Sequence, residues 1–410
     1  MWRTGNIYFI TAIAVIGGGL FGFDIASMSA IISTKAYLCY FNEGPDGPGY
    51  NDSTDCSGPH SSTQGGITAS MAGGSWLGSL LSGYITDKVG RKSAIQVGAV
   101  IWMVGSILCC ASQDIAMLIV GRIINGISVG ICSAQVPVYI SELSPPSKRG
   151  RLVGTQQWAI TWGIMIMFYI SYGCSYINGT AAFRLPWGIQ MTPAVILFIG
   201  LLFLPESPRW LAKHGREDEA LDILALVHAK GDDEQQIHVT WKELLKPAML
   251  NRLHIGMFTQ IWAQLTGMNV MMYYITYVFA MADLKGNNVL LSSSIQYIIN
   301  VITTIPALIW LDRWGRRKPL LIGAVLMMTW LFAVAGIMAT YGHAAPAGGL
   351  NGIAAESWIT PGRAAKAIIA CSYLFVASYA PTWGPRILGL PTRTVPSPRK
   401  RQGSSSQHVR

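Results

Sequence analysis

Two ionisable side chains stand deep inside long apolar runs of this sequence, Asp24 in the run 7–31 and Arg122 in the run 115–140. Asp24 lies seven residues before the end of its run and Arg122 seven after the start of its own. If consecutive runs cross a membrane in alternate directions, both face the same side. At about 1.5 Å per residue each then sits roughly 10 Å deep, so the two can meet. An acid in such a place is functional by default, because stripping a carboxylate of water is expensive. Two chemistries are open to the pair. It is a static bridge between helices, or a carboxylate alternating between the guanidinium and a proton, since neutralisation removes its attraction for Arg. Amides form a second set: Gln157, Gln260, Gln264, Asn269 and Asn300, each within an apolar run. An amide both donates and accepts hydrogen bonds, and buried without partners it is costly. Gln260, Gln264 and Asn269, spaced by four and five, share roughly one helix face. Such a face either suits a neutral ring of hydroxyls or bonds neighbouring helices together.

The elements that must hold these groups are membrane spans. Of 410 residues, 51% are apolar and 12% charged, about half the charged share of a soluble domain. The apolar residues fall into ten runs, at 7–31, 66–86, 94–112, 115–140, 152–176, 186–204, 252–281, 289–311, 319–341 and 364–385. Each is near the length needed to cross a bilayer. The first is too long and glycine-rich for a signal peptide and is read as retained. Alternate loops carry sixteen Lys and Arg against four, which puts the richer set, and the N-terminus with it, in the cytoplasm. Asn51 and Asn178 head glycosylation sequons in loops that this assigns to the outside. Cys39 and Cys56 share the first outer loop and could form a disulfide. The net charge of +10 is spread over short loops and the last 25 residues, which speaks against a nucleic-acid face. No Cys or His spacing suits a metal, and no nucleophile–base pair is evident. Neither a cofactor nor an enzymatic activity is expected.

Asp87-Lys-Val-Gly-Arg-Lys follows the second run, and Asp312-Arg-Trp-Gly-Arg-Arg follows the second run after the polar stretch 205–250. Two copies at equivalent places imply two parallel repeats related by an axis along the membrane normal. The expected layout is a six-helix bundle over 1–204, a cytoplasmic linker with short helices over 205–250, a four-span bundle over 251–385, and a basic disordered tail over 386–410. From Asp87 to the end of the sixth run is 117 residues, and the same interval from Asp312 overshoots the chain. The second repeat is therefore expected to lack about two helices.

Several ordered motifs carry a resemblance. They are Phe21-Gly-Phe-Asp24; Asp87 to Lys92; Gly121-Arg122-Ile-Ile-Asn-Gly126 leading to Glu142 and Arg149; and Pro205-Glu-Ser-Pro-Arg-Trp210. Gln264-Leu-Thr-Gly-Met-Asn269 with Tyr273-Tyr274, Asp312 to Arg317, and Thr382-Trp-Gly-Pro385 complete the series. The chain resembles the sugar porters of the major facilitator superfamily, most of all their fungal hexose/pentose branch. The resemblance implies an all-α membrane fold of two six-helix repeats, the second short here. It matches Gln157, Gln264, Asn269 and Asn300 to sugar-contacting positions, and Gln260 and Tyr273 join that candidate site. Ala263 departs from a Gln pair common in the family and bears on sugar preference. For Asp24 and Arg122 the resemblance supports proton coupling, although some facilitators keep an acid there. Asp87, Arg91, Glu142, Arg149, Glu206, Arg209, Asp312 and Arg316 are either loop charges or ion pairs locking the inner ends of the two halves. Arg and Lys alone would satisfy the orientation rule, so the acids favour a lock, and the resemblance does too.

The expected function is alternating-access transport of a hexose or pentose through the bilayer, coupled to a proton. The alternatives are a facilitative uniporter, a sugar sensor, or a short product that does not transport. From Arg386 onward the chain departs from the family pattern, so transport by this form is expected to be poor. A sensor would call for a structured tail, and residues 386–410 offer no docking helix.

Overall fold

The computed structural model describes residues 5–43, 56, 58–145, 148–227, 247–284, 286–310, 317–345, 350 and 358–384. Asn51, Asp312, Arg316, the linker stretch 228–246 and the tail 386–410 lie outside the described residues. The first half begins with α1 (Ile7–Ala14) and α2 (Ile16–Ile31), which continue one another across Val15, and the short outer-loop helix α3 (Lys35–Tyr40). Four long helices follow: α4 (Ser61–Val89), α5 (Arg91–Cys110), α6 (Ile115–Leu143) and α7 (Arg149–Cys174). A paired rod, α8 (Ala181–Ile189) and α9 (Met191–Leu202), closes the bundle, and α10 (Pro208–Lys213) and α11 (Glu217–Val227) lie beyond it. In the second half, α12 (Pro247–Leu265), α13 (Met268–Tyr273) and α14 (Ile275–Met281) occupy the expected seventh span. They are followed by α15 (Asn287–Trp310), α16 (Arg317–Tyr341), a two-stranded ribbon of β1 (His343–Ala344) and β2 (Trp358–Ile359), and α17 (Arg363–Thr382).

Seven of the described helical rods are long and apolar enough to cross a membrane. The rods at α4, α7 and α12–α14 stand where spans were expected but fall short of that standard, each for a visible reason. Gly and Ser make up much of α4, and α7 carries Gln, Thr and Tyr along its length. The expected 252–281 helix is broken at Gly267, whose φ of 81° ends α12 and starts α13 at a new angle.

The small residues of α4 have a packing role. A Cβ added at Gly74 or Gly78 would stand 2.2 or 2.1 Å from the carbonyls of Ile123 and Ile127 in α6. From the other side, one at Gly126 or Gly130 would stand 2.2 Å from the carbonyls of Met71 and Ser75. Two small-xxx-small faces thus interlock backbone to backbone, where lipid offers no hydrophobic drive to bring helices together. Gly22 of α2 repeats the device against α7, with Ile160 O 2.2 Å from such a Cβ.

Trp102, Tyr139, Leu197 and Leu201 anchor a core within the first half. A second core lies between the halves, where Ile25, Ile164 and Phe168 meet Met271, Met272, Tyr297 and Phe375. Large apolar side chains such as Trp76, Leu80, Ile107 and Phe332 face outward, as a bilayer-facing surface requires.

Cys39 and Cys56 form a disulfide that closes the loop after α3. Tyr37, Phe41, Phe183 and Trp187 pack around it at the same end of the bundle. At that end the halves are joined. Ser29 Oγ and Tyr297 Oη are 2.9 Å apart, Thr276 Oγ1 donates to Ser29 O at 3.1 Å, and Tyr277 Oη donates to Ile32 O at 3.3 Å.

Gly126→Val should lower the melting temperature and monodisperse yield of the purified protein, because overpacking of this kind costs about 1–3 kcal/mol. Gly83→Val, where a Cβ meets open space within 4 Å, should leave both near wild type. Equal behaviour of the two variants would contradict the interlock.

Candidate functional site

Asp24 and Arg122 meet as the depth argument requires. Arg122 Nη2 reaches Asp24 Oδ2 at 3.1 Å and Nη1 reaches Oδ1 at 3.4 Å, a two-pronged contact between residues that are each 1% exposed. The guanidinium fork matches the carboxylate, which is why Arg rather than Lys suits the position. Its remaining edge is used as well, with Nε donating to Ile67 O of α4 at 2.8 Å. That bond depends on the glycine-mediated approach of α4 and α6. Asp24 is held in turn because α2 nests on α7 through Gly22. Beside the pair lies Tyr273 of α13, whose hydroxyl is 3.4 Å from Met71 Sδ and interacts with both charged groups. Tyr273, expected among the sugar-contacting residues, thus lies on the ion pair.

The amides are divided. Asn269 Nδ2 donates to Gln264 Oε1 across the break at Gly267, so these two stay together although their helix does not. Gln260 is half-buried on α12. Gln157 is half-buried on α7 and faces Gly384, where an added Cβ would stand 3.3 Å from its Cγ. Asn300 is 3% exposed on α15. Among the described residues, neither Gln157 nor Asn300 is hydrogen-bonded to the Gln264–Asn269 pair.

Further amides, passed over in the sequence, are more deeply buried, Gln156, Gln296, Asn125 and Gln190 among them, and the first two lie on α7 and α15 beside Gln157 and Asn300. Gln156 has an unpartnered Oε1, and Gln296 has both amide atoms unpartnered, among the described residues. Buried amides seldom lack partners, which marks both as candidate ligand contacts. Gln296 was within reach of sequence reasoning, since it lies four residues before Asn300 on the same face of an apolar run.

The charges at the other end of the bundle form one cluster. Arg91 Nε binds Glu142 Oε2 at 3.1 Å, and Ser207 Oγ donates to the same carboxylate. Glu206 Oε1 accepts from the backbone N–H groups of Lys92 and Ser207, both at 2.9 Å. Asp87 receives Lys213 at 3.3 Å and Arg91 at 4.0 Å. Gly90, with φ of 95°, brings the chain so close to Glu206 that an added Cβ would stand 2.6 Å from its Oε2. Arg149 Nη2 donates to Ser144 O at 3.5 Å, and Arg209 is exposed on α10. The pairs named here join helices of the first half to one another, and Asp312 and Arg316, the second-half members of the expected lock, lie outside the described residues. Asn178 is exposed between α7 and α8. Outside the spans, burial pushes the Tyr37 hydroxyl up from its ordinary range, and it donates to Gln64 Oε1 at 3.0 Å.

A family model described as "Sugar (and other) transporter" matches residues 10–405. The high-affinity glucose transporter of Kluyveromyces lactis is 49% identical over 401 residues, covering 92% of this chain and 70% of that protein. The MFS glucose transporter mfs1 of Aspergillus flavus is 44% identical over 426 residues, covering 97% and 77%. Among solved structures, the xylose transporter XylE of E. coli in a partially occluded inward open conformation is similar with a TM-score of 0.73 at 25% identity. That match covers 95% of this chain and 85% of XylE.

Removing one partner of a buried ion pair costs about 3–5 kcal/mol, because the other charge is left uncompensated. Arg122→Leu should therefore lower thermal stability markedly, and adding Asp24→Asn should recover most of the loss. Equal melting of the single and double variants would refute the pairing.

Proposed function

The chain belongs to the sugar (and other) transporter family, and on that premise we propose that it carries a monosaccharide across its membrane by alternating access, with a proton as co-substrate. The substrate proposed first is glucose, on the strength of the two glucose transporters it resembles. The observation that carries the coupling is the fully buried Asp24–Arg122 pair lying against Tyr273 of the opposite half. A carboxylate so buried has two stable conditions, paired with the guanidinium or protonated. Exchanging one for the other frees Arg122 and loosens α2 from α6. That is a local change between helices of the first half, next to the seam on which the halves rock.

The domain reading follows the same lines: a six-helix bundle over 1–204, a linker over 205–250 and a second bundle over 251–385, with ten spans in all. The rods at α4, α7 and α12–α14 count as spans in this reading because neighbouring helices cover their polar faces. The Asp87–Arg91–Glu142 end is taken as cytoplasmic, with the N-terminus, from the excess of Lys and Arg in its loops. The disulfide end is then outside, and the arrangement is closed outward. Asp87, Arg91, Glu142 and Glu206 act as an inner brace of the first half, with Asp312 and Arg316 as counterparts in the second. The sugar is proposed to bind between the halves at Gln157, Gln264, Asn269 and Asn300, with Gln260, Gln156 and Gln296 as supporting contacts.

Asp24→Asn should abolish glucose accumulation driven by a pH gradient while leaving exchange of glucose measurable. Unchanged accumulation by this variant would leave facilitated diffusion as the better reading. Asn269→Ala or Gln157→Ala should weaken glucose binding about tenfold, the loss expected for one good hydrogen bond, at unaltered surface expression. Unaltered binding with reduced expression would make these amides packing groups.

A further inference from the structure

A cavity of about 300 Å³ lies at the charged end of the first half, where α5, α10 and α11 meet. That is the lower end of the volumes small-molecule sites occupy, roughly 300–1,000 Å³. Lys92, Ser93 and Gln96 line it from α5, and their spacings of three and four put Gln96 on a common face with both others. Glu206 and Trp210 line it from the start of α10 and from α10 itself, and Arg216 and Glu219 from the start of α11. Gln96 Nε2 is buried with no hydrogen-bond partner among the described residues. A buried amide donor seldom stays unpaired, so this one calls for an acceptor held in the cavity. The inner brace makes no use of Gln96.

The charges around the cavity identify its occupant by class. Lys92 and Arg216 are balanced by Glu206 and Glu219, so the lining carries no net charge. Arg216 Nη2 stands 2.6 and 2.8 Å from the two carboxylate oxygens of Glu219. Lys92 Nζ donates to Leu202 O at 3.4 Å, and Glu206 Oε1 accepts two backbone N–H groups. A phosphate or other anion would find each cation already engaged. A neutral polyol needs no free charge, because its hydroxyls donate to the remaining carboxylate lone pairs and accept from N–H groups without breaking either contact. Trp210 supplies an aromatic wall, and Val89, Leu202 and Ile223 supply apolar ones, which suit the C–H faces of a sugar ring.

We infer that this cavity is a second monosaccharide site, on the cytoplasmic side and separate from the one between the halves. The inference rests on the substrate class and the orientation proposed above. Gln96 donates to a sugar hydroxyl there, and Trp210 packs against the ring. Trp210 Nε1 also donates to Asp87 O at 3.2 Å, and Glu206 ties the starts of α5 and α10 together. Sugar held between α5 and α11 therefore fastens both short helices to the inner brace. Its occupancy reports how much sugar has accumulated on that side.

The test is equilibrium binding of radiolabelled glucose to the purified full chain in phosphatidylcholine nanodiscs. Wild type should bind one glucose between the halves and a second in the cavity. Asn269→Ala should weaken the first alone. Gln96→Leu should weaken the second alone by about tenfold, the loss expected for one good hydrogen bond. Ser93→Met, which fills the cavity from α5, should act in the same way. Gln96→Leu removes an unpaired buried donor, so its melting temperature should equal or exceed that of wild type. A single binding event, lost in Asn269→Ala, would overturn the inference and leave the transport reading standing. If wild type binds no glucose at all, the proposed substrate falls and this inference with it. Two events unchanged in both α5 variants would sink it, and so would unfolding of both variants, which would make the cavity a packing element. Displacement of the second glucose when phosphatidylethanolamine replaces phosphatidylcholine would assign the cavity to a lipid headgroup instead.

Discussion

A carboxylate cannot stand uncompensated among apolar helices, and much of this bundle is arranged around that constraint. Asp24 is held by the fork of Arg122, and Arg122 by the carbonyl of Ile67. Ile67 is in reach because α4 and α6 touch backbone to backbone at Gly74, Gly78, Gly126 and Gly130. Asp24 is in reach because Gly22 lets α2 settle on α7. Removing bulk from three helices, α2, α4 and α6, is the condition for burying two charges. The usual logic of a core, in which larger side chains pack better, is reversed here.

The sequence revealed different parts of the molecule to different degrees. Asp24 and Arg122 were legible because depth in a span follows from residue number and helix rise alone. The disulfide pair was legible because Cys39 and Cys56 share one loop. The family was legible from motifs such as Asp87 to Lys92, and the match over residues 10–405 agrees. The break at Gly267 was not, since a glycine inside an apolar run is compatible with an unbroken helix until its φ is known. Gln296 and Gln156 were passed over because burial depends on what the rest of the fold brings to a face. Tyr273 was read as one of several ligand contacts, and its place on the ion pair depends on the angle that α13 takes after Gly267.

The charged cluster around Glu142 illustrates a similar limit. Repeated acids and arginines at fixed offsets predict ion pairs but not which helices those pairs join. Here Glu142 gathers Arg91 and Ser207, and Glu206 gathers two backbone N–H groups at the start of α5 and α10. The carboxylates cap chain turns as much as they bridge helices. Partly exposed pairs are individually weak, and their worth lies in setting the positions of α5, α6 and α10 together.

The interlocked glycines also bear on motion. A contact made of backbone atoms has no rotamers to exchange, so α4 and α6 have little slack between them and turn as a single body. Bending is left to places where a rod is already interrupted, such as Val15, Gln190, Gly267 and Tyr274. The last two flank the rod that carries Asn269 and Tyr273. A helix keyed by glycine and a short rod interrupted at both ends therefore meet at Met71, where the Tyr273 hydroxyl touches it.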